Sequence, residues 1–240
     1  MIDLTPRQIQ ILRSIIEEFI ETAEPVGSDT IDKKYTIGVS PATIRNEMVD
    51  LAEAGYLHKS HSSAGRIPTS KAMKLYVNEL MKEKELTVAD EVSAKEQIWK
   101  SRKERNQLLG QVMKVLADKS HALAVSLSDT GEIHHSGYAN LLNMPEFADL
   151  QRIRHVFQLI EEAALLEEIF ESGASENLVQ VVYGSELGNR FLEPIGLIHT
   201  KVEFDGQPIH IGVLGSSRFD YPYIIPMMRY IHNLVEELVE

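Results

Sequence analysis

At 240 residues, 43% hydrophobic and 25% charged, the chain has the length and composition of a soluble globular protein of one large or two modest domains. It has no cysteine, which excludes disulfides and thiolate metal sites, and no apolar run approaches a membrane span, so a reducing cytoplasm is the expected compartment. The net charge of −12 argues on its face against a nucleic-acid partner.

In chain order, Thr5-Pro6-Arg7-Gln8 reads as a capping box with proline at the first helical position. Ile9, Leu12, Ile15, Ile16, Phe19 and Ile20 then recur at helical spacing. Pro25 and Gly27 break the chain, Ser28 is placed to cap a short helix through about Tyr35, and Gly38 turns the chain into a third helix. There Ser40 caps and Pro41 takes the first turn, where a missing N–H costs nothing. Ile44, Met48 and Leu51 fall on one inward face, while Ala42, Thr43, Asn46 and Val49 lie roughly opposite. Gly55 ends this helix. Tyr56–Ser60 and Arg66–Pro68 read as short strands around a serine-rich tip with Gly65. Three helices with a tight turn between the second and third, followed by a hairpin, make a winged helix-turn-helix over residues 1–80. A fourth helix from about Thr69 packs Met73, Tyr76, Val77 and Leu80 back on this domain.

The charge is unevenly distributed. Residues 1–80 carry 9 Lys/Arg against 11 Asp/Glu, and residues 81–240 carry 15 against 25. From Ala54 to Asn78 there is no acid, but Lys59, Arg66, Lys71, Lys74, His58 and His61 are present. Duplex affinity responds to local cations facing phosphates, so an anionic chain with one acid-free loop can still bind DNA through that loop. Thr43 and Asn46 are the expected base-edge readers, since Asn can pair bidentately with adenine. Ser40 and Arg45 are expected to position the backbone, Lys59, Ser62, Ser63 and Arg66 to form wing contacts, and Lys71 to be an outlying phosphate partner. Three acids on the same helix, Glu47, Asp50 and Glu53, are read as outward and as opposing deep insertion at its C-terminal end.

Residues 81–118 are heavily charged and mixed in sign. They read as a solvated helical spacer, or alternatively as a dimerising helix using Val92, Ile98, Trp99, Leu108 and Val112. Beyond them, His121–Leu127, Glu132–Gly137 and Leu178–Tyr183 suit strands. Leu150–Phe170 reads as one long amphipathic helix with Ile153, Val156, Phe157, Ile160, Ala164 and Ile169 on its face. Asp205-Gly206 joins Leu197–Phe204 to Gln207–Leu214 as a hairpin. A two-residue turn there pairs Val202 with Ile209, Thr200 with Ile211 and Ile198 with Val213 on one face, and Lys201 with His210 on the other. A last helix from Pro222 to Leu238 covers the apolar face. The fold class is therefore α+β: the N-terminal domain, then a GAF- or PAS-like regulatory and dimerisation domain over residues 119–240.

Chemistry-bearing motifs are missing. There is no H-E-x-x-H for zinc, no G-x-S-x-G, no phosphate-cradling G-x-x-x-x-G-K and no G-x-G-x-x-G after a strand. His134 and His135 are neighbours on a strand and point apart; Glu161-Glu162 and Glu167-Glu168 read as solvated helix surface. No enzyme, cofactor or metal is expected.

The wording of two blocks is specific. LTPRQIQILRSIIEEFIETAEPVGS and GVSPATIRNEMVDLAEAGYLHKSHSSAGRIPT strongly resemble the N-terminal domain of the HrcA family of heat-inducible transcription repressors, densely over residues 1–80 and more loosely afterwards. Gly215-Ser216-Ser217-Arg218-Phe219-Asp220-Tyr221 resembles that family's G-P-x-R-M-D-Y segment before a last helix. The resemblance implies a repressor of chaperone operons that binds an inverted-repeat operator on double-stranded DNA as a homodimer, with a chaperonin as a partner that keeps it active until heat draws the chaperonin away. The chain is much shorter than typical members, which carry an extra domain inserted into a GAF-like C-terminal domain. Two other readings stay open: a ligand-responsive regulator whose C-terminal domain binds a small effector, and a protein-interaction module.

Overall fold

Thr5 opens the first helix by a reciprocal cap: its Oγ1 accepts from the Gln8 N–H at 3.3 Å and Gln8 Oε1 accepts from the Thr5 N–H at 2.9 Å. Two orphan donors of the first turn are thereby satisfied. The computed structural model describes residues 3–59, 65–172, 177–204 and 206–239. The chain divides into two compact units, Met1–Lys82 and Glu83–Glu240.

Unit 1 contains α1 (Pro6–Thr22), α2 (Ser28–Lys34), α3 (Pro41–Glu53), the strands β1 (Leu57–Lys59) and β2 (Arg66–Pro68), and α4 (Ser70–Leu75) continued by a π-helical turn, Tyr76–Leu80. The apolar faces of these helices meet: Ile11, Leu12, Ile15 and Ile16 of α1, Ile31 of α2, Ile44, Met48 and Leu51 of α3, and Met73 and Tyr76 are all buried. Each such side chain taken from water contributes about 1.5–3 kcal/mol before conformational entropy is counted. Gly55 follows α3 at φ 80°, a left-handed conformation that favours glycine. Ser28 does not cap α2; Gly27 holds the cap position and Ser28 is the first helical residue. An ion pair fastens α2 to α1, with Lys34 Nζ 2.7 Å from the buried Glu18 Oε1.

Unit 2 is built on a five-stranded antiparallel sheet in the order β4-β3-β7-β6-β5, from β3 (Leu123–Ser128), β4 (Ile133–Ser136), β5 (Gln180–Tyr183), β6 (Ile195–Phe204) and β7 (Gln207–Ser216). The hairpin register is the one the sequence implies, with Val202 opposite Ile209, Thr200 opposite Ile211, Ile198 opposite Val213 and Lys201 opposite His210. A slip of one residue would turn Ile198, Val202, Ile209, Ile211 and Val213 to the wrong face, so the pattern pins the pairing. On that face lie α5 (Val88–Trp99), α6 (Arg105–Ser120) and α10 (Tyr221–Val239). The opposite face, with Leu123, Val125, Leu127, Leu197 and Leu214, packs against α7 (Tyr138–Leu141), α8 (Leu150–Glu161) and α9 (Ala163–Ser172) in one apolar cluster. Unit 2 is thus α+β, with helices on both faces of one sheet.

Two expectations are corrected here. The spacer over 81–118 is instead α5 and most of α6, and Ile98, Leu108, Leu109, Val112 and Met113 are buried in unit 2. The charges mask a real apolar stripe, and three of the five residues read as a dimer seam, Ile98, Leu108 and Val112, serve the internal core. The long helix over 150–170 is two helices, interrupted at Glu162 with φ −112° and ψ 102°. An unbroken helix turning about 100° per residue would put Leu166 roughly 120° out of phase with Ile160. The break resets the phase, so that Leu166, Ile169 and Phe170 are buried and Ala164 is exposed.

Candidate nucleic-acid interface

Helix α3 starts from Ser40, whose backbone is extended at φ −66° and ψ 155° and whose Oγ accepts from the Thr43 N–H at 3.2 Å. The same Oγ lies 3.0 Å from Thr43 Oγ1, so these two hydroxyls engage each other at the helix start. With Ile44, Met48 and Leu51 buried, the helical period leaves Ala42, Arg45 and Asn46 exposed. Val49 is 39% exposed on the same side. Of the three acids expected outward, Glu47 is turned in: it is 7% exposed and its Oε1 accepts from Arg7 Nε of α1 at 2.7 Å. That pair removes one negative charge from the outer face and fixes α3 against α1. Asp50 and Glu53 remain exposed.

The hairpin pairs Leu57 with Pro68, His58 with Ile67 and Lys59 with Arg66. It is fastened at its second strand, where Arg66 and Val26 exchange two backbone hydrogen bonds of 2.9 Å. Gly65 is needed beside this bridge, because a Cβ there would stand 2.8 Å from the carbonyl carbon and oxygen of Pro25. Around the junction, Arg45 of α3, Lys59 of β1 and Arg66 of β2 line one cleft of about 480 Å³, whose other wall is Pro25, Gly27, Ser28, Asp29 and Thr30. Three cations from three separate elements thus converge on one concavity that holds, among the described residues, a single carboxylate, Asp29. Arg45 and Lys59 have no carboxylate partner among the described residues, so their charge is available to an outside anion.

The sequence-based site is therefore partly assembled. Arg45, Lys59 and Arg66 share the cleft, Asn46 lies next to it on the exposed face of α3, and Ser40 and Thr43 form the helix cap. Ser62 and Ser63 lie outside the described residues. Lys71 lies apart from this cleft: its Nζ donates to the carbonyl of Ala54 at 2.8 Å and sits 4.1 Å above the Tyr56 ring, at the C-terminal end of α3. A lysine there satisfies an orphan carbonyl and the negative end of the helix dipole, which is a structural task. The wall residues Pro25, Ser28 and Thr30, and the Arg7–Glu47 pair, were not read from the sequence; their partners are far along the chain and leave no periodic signal.

Unit 2 has a larger cavity, about 850 Å³, lined among others by Lys119, His121, Asn140, Asn143, Arg218 and Tyr223. The Gly215–Tyr221 segment borders it through Ser216, Arg218, Phe219 and Asp220. Glu146 accepts from Arg218 Nε at 2.6 Å and from Ser216 Oγ at 2.7 Å. Burial alone would raise its carboxyl, but these two donors hold it below its ordinary value. Among the described residues, no cluster of three or more His, Asp or Glu is placed to hold a metal ion, and no helix is long and apolar enough to cross a membrane.

A helical unit carrying a cation-lined cleft and an α+β unit behind it in the chain invites comparison with known proteins. A family model described as the HrcA protein C terminal domain matches residues 42–225. The chain belongs to the HrcA family. The heat-inducible transcription repressor HrcA of Geobacter sulfurreducens is 29% identical over 341 positions, covering 100% of this chain and 99% of that protein. Since 341 positions are aligned to 240 residues, at least 101 positions have no counterpart here, and this is a short member of the family. The repressor of the same name from Symbiobacterium thermophilum is 39% identical over 175 residues, covering 72% of this chain and 46% of that protein. A crystal structure of a hypothetical protein at 2.2 Å resolution superposes with a TM-score of 0.80 at 19% identity, covering 99% of each chain, which supports the fold alone.

Proposed function

We propose that this chain is a DNA-binding repressor of heat-shock genes, as the names of its relatives suggest, and that unit 1 is a winged helix-turn-helix that docks α3 in the major groove. The observation that carries this reading is the convergence of Arg45, Lys59 and Arg66 on one cleft beside the exposed face of α3. The cleft would face the phosphate backbone, one phosphate to each of its three cations, which fixes register without reading sequence. Asn46, with Thr43 at the helix start, reads base edges; Ser40 orders the first turn, and Ser62 and Ser63 add phosphate contacts. The acidic unit 2, GAF-like in this reading, repels the duplex and confines contact to unit 1. The protein works without catalysis in the cytoplasm, as a homodimer on an inverted repeat, with half-sites about one or more helical turns apart. A chaperonin is the proposed modulator.

Footprinting on the DNA upstream of the host's own chaperone genes tests the reading. The expected result is a twofold-symmetric protected pair of half-sites, with Asn46→Ala relaxing preference at one base pair by about 1–3 kcal/mol. Protection without symmetry, or equal loss on specific and random DNA, counts against it. The 850 Å³ cavity of unit 2 favours a second reading, in which a small effector sets repressor activity. A thermal-shift screen of metabolites checks that reading, since a ligand of the folded state raises the melting temperature.

A further inference from the structure

Two imidazoles in unit 2 lie against Phe170, one fully buried and one half-buried. His199 of β6 and His210 of β7 are diagonal neighbours on the sheet face that packs against α7, α8 and α9, with ring centroids 5.9 Å apart. His199 is 1% exposed, and neither of its ring nitrogens has a hydrogen-bond partner among the described residues; the same holds for His210 Nδ1. Phe170 of α9 covers both, stacked on His210 at 4.8 Å and edge-on to His199 at 5.1 Å. Gly212 opposes His199 across the strands, and a Cβ there would come within 2.8 Å of His199 Cβ, so the close approach of the two strands at this point needs the glycine. The cross-strand neighbours Gln180, opposite His199, and Leu127, opposite His210, are uncharged. Among the described residues, the charges that act on His210 are Lys201 of β6 and Glu171 of α9.

Most buried side-chain nitrogens in native proteins find a partner, and those that do not ask for an explanation. Neutral rings are tolerated in this setting and charged rings are not. Burial first, then the neighbouring His210, pulls the His199 pKa down to about 3. Burial and then Lys201 lower that of His210, with Glu171 opposing. The covering element is short: α9 is one ten-residue helix, separated from α8 by the extended backbone at Glu162, and is the kind of piece that opens by itself.

We propose that His199 and His210 form a protonation latch, which keeps α9 seated on the sheet only while both rings are neutral. The sign follows from linkage. A histidine whose pKa is depressed in the closed state takes up a proton on opening at any pH between that depressed value and its free value of about 6.5, so acid favours the open state. Between pH 7.5 and 5.5 the opening constant rises about tenfold for His199, and His210 adds a further factor in the same direction. Nothing in this device needs DNA, and its failure would leave the proposed function standing.

Hydrogen exchange on the full chain tests it, at pH 5.5, 6.5 and 7.5 with the intrinsic rates divided out. Opening of Ala163–Ser172 is expected to increase at least about tenfold on acidification while α10 stays protected; His199→Leu and His210→Leu each keep a smaller rise, and the double variant is flat. A pH-independent α9 in the unmodified protein overturns the proposal. So does a rise that survives in the double variant, or one shared equally by α10. Should a variant not fold, proton NMR of the unmodified protein decides: the His199 ring signal stays in its neutral position from pH 7.5 to 5.5, and a titration midpoint near 6.5 contradicts the latch.

Discussion

Arg66 and Lys71 are five residues apart in an acid-free stretch, yet the fold gives them different work. Arg66 lines the cleft with Arg45 and Lys59, whereas Lys71 donates to the carbonyl of Ala54 and covers Tyr56. Arg66→Ala is therefore expected to weaken binding to every duplex and to flatten the plot of log affinity against log salt by about 0.9 units. Lys71→Ala is expected to lower the melting temperature of unit 1 and leave that slope unchanged. Isothermal titration at several salt concentrations checks both, and a reduced slope in Lys71→Ala would restore it as a phosphate partner. At this scale the sequence was half legible. Lys59 and Arg66 stood out because charge composition is local, and Ser40 because caps are local. The inward turn of Glu47 was not visible, since its partner Arg7 is forty residues away and only the packing of α1 on α3 brings them together.

Elements were read best where a period and a stop signal agreed. The α1 capping box, the glycine after α3 and the β6–β7 register all have both, and the structure holds each of them. The break at Glu162 has no proline or glycine to announce it; it exists because the apolar residues change phase, and that shows only when the sheet they cover is known. The acid-rich α5 was masked in the same way, since its buried residues are few and its charges many. The β1–β2 hairpin carries the element-scale prediction. Gly65→Ala pushes a methyl against the Pro25 carbonyl and disturbs the two Val26–Arg66 backbone bonds. DNA affinity should fall at least tenfold while the thermal transition of unit 2 stays in place. Unchanged affinity would show that the cleft does not depend on this junction.

The whole chain combines a net charge of −12 with one cationic concavity, so its charge has to be spent locally. Acid stability follows the same logic. Lys119 first, then Thr87, hold the Asp90 carboxyl down to about 2 from an ordinary 3.8, with Tyr223 also donating. A depressed carboxylate stabilises the fold above its unfolded value and loses that contribution as pH falls from about 4 towards 2. Unfolding followed by Trp99, the one tryptophan, should therefore steepen in that window, and Asp90→Asn should flatten it. An identical pH profile in the variant would assign the acid transition to other groups.

The central claim is that three cations from α3, β1 and β2 grip the phosphate backbone of a duplex. Its most direct test is the salt dependence of affinity for an inverted-repeat duplex, compared between the unmodified protein and a variant combining Arg45→Ala, Lys59→Ala and Arg66→Ala. With each neutralised phosphate contributing about 0.9, the slope is predicted to fall by about 2.7 units in the variant while its circular dichroism is unchanged. A slope that does not move in the folded variant would mean that DNA, if bound, is held somewhere else.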